Sequence, residues 1–137
     1  MRQKTHLVTA LAFILCIGIS ISAAAYNEHR SIQYTAIDLF VIDLDILSTG
    51  KSESSVRAVA SDVSYTMIID LTLWQQEGSR WTVEKTWNVT TSSNTTLKKS
   101  WYVEEGYSYR LDVKLTVYDC NGDEIDAAFS RSPIVNY

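Results

Sequence analysis

Three aromatic residues stand at outward-facing positions of predicted strands, where their chemistry could support recognition. Trp74 and Tyr118 fall on the side opposite the apolar face of their strands, and Tyr102 does so in a third strand. Because a Trp or Tyr ring brings a large contact area at small entropic cost, such rings on neighbouring strands would form a platform for a sugar or a protein. The alternative is that they cover sheet edges or pack under loops. We predict Trp74, Tyr102 and Tyr118 as binding residues.

Acidic residues surround an Asn-Gly turn near the C-terminus, namely Asp119, Asp123, Glu124 and Asp126, and Asp43 and Asp45 could add oxygens. Calcium needs about six to eight oxygen ligands at suitable positions, and this spacing is not that of an EF-hand loop. We therefore expect a solvated turn, with no metal site and no cofactor.

Catalytic groups are scarce. After removal of a signal peptide the chain keeps one histidine, His29, so neither a Ser-His-Asp set nor a zinc site with several histidines can form. A Ser-Lys or two-carboxylate mechanism stays open, but no spacing selects a pair. Only Cys120 would remain of the two cysteines, which excludes an internal disulfide and indicates a turn residue. We predict that the protein is not an enzyme.

The first 25 residues are typical of a signal peptide. Arg2 and Lys4 precede an apolar run that ends in small residues at Ala25. An uncleaved membrane anchor is the alternative interpretation. We predict cleavage near Ala25, a secreted domain over residues 26–137, and no stable membrane insertion afterwards. Loss of Arg2 and Lys4 takes away two positive charges and moves the formal net charge from −4 to −6, which disfavours nucleic acid as a partner.

The strongest structural signal is an alternating run over residues 107–117. Its odd positions are apolar or aromatic and its even positions are polar, which predicts a strand that covers a core on one side. Weaker alternation predicts further strands over residues 36–46, 54–60, 63–73, 80–89, 96–103 and 124–130. Seven strands separated by turn signals favour an all-β immunoglobulin- or fibronectin-III-like antiparallel sandwich, with a small closed barrel as the alternative. Tyr109 is expected to form a tyrosine corner with the preceding loop.

Four local expectations accompany this fold. The tryptophans Trp81, Trp87 and Trp101 are expected in the core, because they alternate with polar neighbours. The polar run at residues 90–94 is expected to be a loop. Asn121 and Gly122 suggest a type I′ hairpin turn, and Pro133 predicts that residues 131–137 form an edge segment or a bulged continuation.

A family likeness covers roughly residues 31–137. It rests on Leu71-Thr72-Leu73, Trp81-Thr82-Val83, Lys85-Thr86-Trp87, Leu97-Lys98-Lys99-Ser100, Gly106-Tyr107-Ser108-Tyr109-Arg110 and the Asn-Gly hairpin. This succession resembles an uncharacterised family of small exported β-sandwich proteins from Gram-positive bacteria. The resemblance implies an exported bacterial domain and brings no site residues with it. The chain departs from the family in its acidity and in Cys120.

These features together predict a secreted, non-catalytic module that binds an extracellular protein or glycan through its surface. The alternative is a structural envelope protein that assembles by pairing the edge strand near Ile134 and Val135 between copies. A binding module would be a monomer or a weak homo-oligomer, whereas an assembling protein would change mass with concentration.

Overall fold

The computed structural model describes residues 34–137, so the predicted signal peptide lies outside the described residues. The described part contains eight strands: β1 Ile37–Ile46, β2 Lys51–Ala60, β3 Thr66–Glu77, β4 Arg80–Ser92, β5 Asn94–Tyr102, β6 Ser108–Tyr118, β7 Glu124–Arg131 and β8 Val135–Asn136. No helix occurs over this range, and none of its segments is a helix of the length and apolarity needed to cross a bilayer.

The strands form two antiparallel sheets. One has three strands in the order β1-β2-β5, and the other has β4-β3-β6-β7, with β8 also paired to β6. The two sheets do not close into a barrel. The sandwich prediction is therefore confirmed, and the alternative of a small closed barrel is wrong.

Strand β6 lies at the centre of the larger sheet, between β3 and β7. Its odd positions from Tyr109 to Val117 are fully buried. Burying an aliphatic or aromatic side chain of this kind contributes about 1.5–3 kcal/mol. Small residues of β2, including Val56 and Ala58, are buried on the inner face of the opposite sheet. The alternation of this one strand thus accounts for much of the core.

Tyr109 forms the predicted tyrosine corner. Its hydroxyl donates to the Glu104 carbonyl oxygen at 2.8 Å and accepts from the Glu104 backbone N–H at 3.1 Å. Burial raises the pKa of the phenol above its usual value of 10.0, which keeps the hydroxyl available as a donor. This pair of bonds fixes the loop that carries the chain from β5 to β6.

The C-terminal segment is a bulged continuation of the edge, as predicted. Strand β7 ends at Arg131, and β8 resumes the pairing against the start of β6. Between them, the Ser132 N–H donates to the Leu111 carbonyl oxygen at 2.8 Å, and the Ser132 hydroxyl accepts from the Leu111 N–H at 2.9 Å. Pro133 lies in this gap, where the ladder requires no N–H from it.

The prediction that Trp81, Trp87 and Trp101 share the core is wrong for two of them. A bulge separates the pairs Leu73–Lys85 and Trp74–Val83, so Glu84 has no partner in β3. An inserted residue reverses the faces that follow it along the strand. Trp87 therefore packs against the core, whereas Trp81 faces outward.

Trp101 faces the inside of the sandwich but lies at its open edge, where it is 37% exposed. Its indole N–H donates to Glu84 Oε1 at 2.9 Å, and Lys85 Nζ lies 4.2 Å from its ring centroid. The bulge that turns Trp81 outward thus also supplies the two side chains that hold Trp101.

Two other local predictions are wrong. The polar run at residues 90–94 is not a loop, because β4 continues to Ser92 and β5 begins at Asn94, leaving only Ser93 between them. The hairpin between β6 and β7 forms, but its turn is not type I′. Among residues 34–137 every residue with positive φ is a glycine, so Asn121 has negative φ, and Gly122, with φ of 87°, alone supplies the left-handed position.

Candidate functional site

The outer face of the larger sheet carries a cluster of aromatic rings and guanidinium groups, which we call the arginine row. Its members are Trp81 and Val83 of β4, Trp74 of β3, Arg110 and Asp112 of β6, and Phe129 and Arg131 of β7. The cross-strand register places them together: Trp74 pairs with both Val83 and Arg110, and Asp112 pairs with Arg131. The row therefore crosses all four strands of the sheet's main path.

Arg110 lies between two tryptophans. Its guanidinium carbon is 4.2 Å from the centroid of Trp81 and 5.8 Å from that of Trp74. A guanidinium over an indole face is attracted by the ring's electron density, which contributes about 0.5–1 kcal/mol at exposed sites and more when desolvated. The packing leaves 17% of the Arg110 side-chain surface exposed.

Asp112 and Arg131 form a two-point ion pair beside Arg110. The Arg131 Nε and Nη2 atoms donate to the two carboxylate oxygens of Asp112 at 2.7 and 2.8 Å. This hydrogen bonding raises the pKa of the Arg131 guanidinium, which stays charged. Arg110 Nε lies 3.8 Å from Asp112 Oδ1, beyond hydrogen-bond distance. Arg131 is thus the hydrogen-bonded partner of the Asp112 carboxylate, and Arg110 is only a neighbouring charge.

Two buried N–H groups in the row have no partner among the described residues. They are the indole Nε1 of Trp74 and the Nε of Arg110. These two residues are cross-strand partners, Trp74 on β3 and Arg110 on β6. Buried polar groups are nearly always hydrogen-bonded to protein, to water or to a ligand. The row therefore carries donor capacity that the described chain does not use.

The ends of the row present apolar surface. Val83 is 54% exposed and Phe129 is 58% exposed, both on strands at the sides of the sheet. The Arg131 guanidinium carbon lies 5.6 Å from the Phe129 ring centroid, so the second guanidinium also borders an aromatic ring. The two cationic groups thus lie between apolar groups at the two sides of the face.

The structure does not bring the three sequence-predicted binding residues together. Trp74 lies in the arginine row. Tyr118 is on the same face but at the opposite end of β6, where it borders a shallow groove with Thr66 and Ile68. Tyr102 is 71% exposed on the outer face of the smaller sheet. A platform made of all three rings would require strands that are neighbours, and β5 is not in the larger sheet.

A second concave surface lies on the outer face of the smaller sheet. It has a volume of about 370 Å³ and is lined by Asp43, Asp45, Lys51, Glu53, Ser54, Ser55, Lys98, Lys99 and Ser100. Lys51 Nζ bonds Glu53 Oε1 at 3.0 Å, so part of this charge is paired internally. Over residues 34–137, no group of three or more His, Cys, Asp or Glu side chains is arranged to hold a metal ion. This groove is polar and mixed in charge, unlike the arginine row.

Two acidic side chains around the Asn-Gly turn, those of Asp119 and Asp126, accept hydrogen bonds from the backbone. Asp119 Oδ1 accepts from the backbone N–H groups of Asn121 and Asp123 at 2.8 and 2.9 Å. These bonds, that from Asp123 above all, hold the pKa of Asp119 below its usual value of 3.8. Asp126 Oδ2 accepts from the backbone N–H groups of Thr35 and Ala36 at 2.8 and 2.9 Å. Two of the four turn carboxylates thus bond to the backbone, and Cys120 is an exposed free thiol.

Most of the arginine row was missed in the sequence. Arg110 and Asp112 stand on the polar side of the alternating run, so their outward position could be read from the pattern. Phe129 is two and four residues from Ala127 and Ile125, so all three lie on one face of β7, and this face could be predicted once the strand is located. The outward position of Trp81 depends on the bulge at Glu84, for which the sequence carries no visible signal.

Comparison with known proteins adds no further assignment: no family model, no curated protein and no solved structure matches the chain. The resemblance to small exported Gram-positive proteins therefore stays a prediction.

Proposed function

We propose that the protein is a secreted, non-catalytic binding module, and that the arginine row on the outer face of its larger sheet is the contact surface for an extracellular glycan or protein. The observation that carries the proposal is the arrangement of Arg110 between Trp81 and Trp74, flanked by the exposed side chains of Val83 and Phe129. Tryptophan and arginine are the residues most enriched at the energetic centres of binding surfaces.

Position in the fold supports this choice of surface. Trp74, Arg110 and Asp112 lie on β3 and β6, whose opposite faces are buried in the core, so the backbone at the centre of the row is held rigidly. A rigid face loses little conformational entropy when a partner binds. Tyr102, by contrast, is at the end of the edge strand β5, and Tyr118 is next to the hairpin turn. Both were predicted from the sequence as binding residues together with Trp74, and for both this stays a prediction.

Assembly through the C-terminal edge is the alternative proposal, and the local structure gives it less support. Strand β8 has only two residues, and Pro133 interrupts the edge between β7 and β8. Short, interrupted edges are the usual means by which proteins avoid pairing between copies. Ile134 is 57% exposed, so a weak contact between copies through this segment would be compatible with the geometry.

An array of immobilised oligosaccharides and extracellular peptides tests the proposal. We would compare the protein with its Val83→Ser and Phe129→Ser variants. Val41→Ser is a matched control, because Val41 is 52% exposed on a strand of the other sheet. We expect array ligands to bind the protein and the control alike, and to bind the two row variants about tenfold more weakly, since each variant removes apolar contact area. Equal binding by all four proteins, or no binding by any, would contradict the proposal.

A further inference from the structure

We infer that the ligand of the arginine row is a linear polysaccharide with carboxylate groups on its repeating units. This inference rests on the proposed function, because it assigns a ligand class to the same surface. Its basis is the charge of the row, the exposed part of its guanidinium groups, and the extent of the row across the sheet.

The charge of the row is opposite in sign to that of the rest of the chain. Two guanidinium groups, of Arg110 and Arg131, stand around one carboxylate, Asp112, in a chain whose formal net charge is −4. Both oxygens of that carboxylate are taken by Arg131. Arg110 is left as a cation without a hydrogen-bonded counterion, and Arg131 keeps 49% of its side-chain surface exposed. An anionic group from a ligand would complete this arrangement.

A carboxylate suits Arg110 better than a neutral hydroxyl does. Guanidinium groups bind carboxylates through charge-assisted hydrogen bonds, which are about twice as strong as neutral ones. The guanidinium lies near two indole rings and only 17% of the side-chain surface is exposed, and a partly desolvated charge attracts an anion more strongly than a fully hydrated one does. The 17% of the Arg110 side-chain surface that stays exposed is the part of this cation that an anion can reach.

The extent of the row favours a polymer over a small molecule. Small ligands are generally enclosed by concave sites, whereas two grooves of the described chain lie away from the row, at the smaller sheet and at the Tyr118 end of the larger one. The row crosses three gaps between strands, a distance of about 14 Å. Binding energy on such a surface must accumulate over several contacts with an extended ligand.

The combination of apolar and cationic groups in the row favours an acidic sugar over an acidic peptide. The guanidinium groups of Arg110 and Arg131 lie between apolar surface at Val83 and at Phe129. A pyranose carboxylic acid combines an apolar C–H face and a carboxylate in each rigid unit, so one repeating unit can satisfy both kinds of contact. An extended peptide binds best at a sheet edge, where unpaired backbone groups can bond to it. On the face of a sheet it would depend on its side chains, which lose rotamer freedom on binding.

The test uses titration calorimetry with three probes: a galacturonic acid oligomer, the same oligomer with its carboxyl groups reduced to alcohols, and polyglutamate of similar length. We expect the protein to bind the acidic oligomer at least about tenfold more tightly than the reduced one, because hydrogen bonds to charged groups contribute a factor of that order. Binding should weaken as salt is added. Equal affinity for the reduced oligomer would overturn the inference while leaving the proposed function in place.

Variants place the interaction at Arg110. Arg110→Gln should lose about tenfold in affinity for the acidic oligomer, and Arg110→Lys should recover only part of it, because an ammonium lacks the planar fork. Arg57→Gln, on the outer face of the smaller sheet, is the matched control and should bind normally. Val83→Asp adds a repelling charge at the row and should also weaken binding. Equal losses in Arg57→Gln, or polyglutamate binding as tight as the uronic acid oligomer, would overturn the inference, as would failure of the acidic oligomer to bind at all.

Discussion

The guanidinium carbon of Arg110 lies 4.2 Å above the ring centroid of Trp81, although the two residues belong to strands that are not neighbours. Strand β3 runs between them and contributes Trp74, whose ring centroid lies 5.8 Å from the same guanidinium carbon. The contact exists because a bulge at Glu84 turns Trp81 to the outer face. The outward positions of Trp81 and Val83, the two β4 members of the arginine row, thus depend on one inserted residue in an edge strand.

The Trp81–Arg110 contact should be measurable as a coupling energy. We expect a double-mutant cycle with Trp81→Leu and Arg110→Met to give a coupling of about 0.5–2 kcal/mol, because the pair is partly desolvated. Urea unfolding of the four proteins measures it. A coupling of zero would mean that the ring and the guanidinium are close without attracting each other.

The hydroxyl of Tyr109 should stabilise the fold. Tyr109→Phe removes the donor to the Glu104 carbonyl and leaves the Glu104 N–H without its acceptor, so we expect a loss of about 1–3 kcal/mol in the free energy of unfolding. Tyr107→Phe is the control, since Tyr107 is partly buried two residues away. Thermal unfolding of both variants checks this, and equal small losses would contradict the corner as described.

Two glycines with positive φ should respond differently to alanine. Gly50 has φ of 79°, and an added Cβ would lie 3.0 Å from the Val103 carbonyl oxygen, whereas Gly106 has φ of 93° and open space around the same position. The left-handed backbone costs both variants about 1–2 kcal/mol. We expect Gly50→Ala to lose at least about 1 kcal/mol more, because a backbone oxygen must also move. Denaturant unfolding of the two variants measures this difference. Equal midpoints would contradict the expectation and would mean that the contact with the Val103 carbonyl oxygen is easily relieved.

Acid should weaken the hairpin between β6 and β7. The backbone N–H of Asp123, with those of Asn121 and Gly122, lowers the pKa of Asp119 below 3.8. A carboxyl whose folded pKa is lowered stabilises the fold above its unfolded pKa, and this stabilisation is lost as the pH falls through the folded value. We expect the melting temperature to fall below about pH 4, and to fall less in Asp119→Asn, which cannot gain a proton there. Identical pH profiles for the two proteins would contradict this role.

The sequence predicted the fold from β6, because a central strand with one buried face must alternate over its whole length. It also predicted the tyrosine corner and the interruption at Pro133, where single residues have narrow structural roles. Edge strands were harder to predict. At residues 90–94 the chain passes from one sheet to the other with both faces partly exposed, so its polar composition looked like a loop.

The arginine row was predicted only at Trp74. Its other members come from three further strands and meet through register, which the alternation of single strands does not determine. The bulge in β4 and the resulting reversal of Trp81 could not be read from side-chain types, because an inserted residue changes the face without changing the composition. Tyr102 faces outward as predicted but does not join Trp74, because the assignment of β5 to the other sheet is a property of the topology.

The most direct test of the account is an NMR footprint of the oligosaccharide or peptide that binds most tightly on the array. With the protein labelled with nitrogen-15, the account predicts that chemical shifts change at the indole N–H of Trp74 and Trp81 and at the backbone of Arg110 and Phe129. It also predicts that the polar groove around Asp43 and Lys98 is unaffected. Shift changes confined to that groove, with the arginine row unchanged, would contradict the claim that the outer face of the larger sheet is the binding surface.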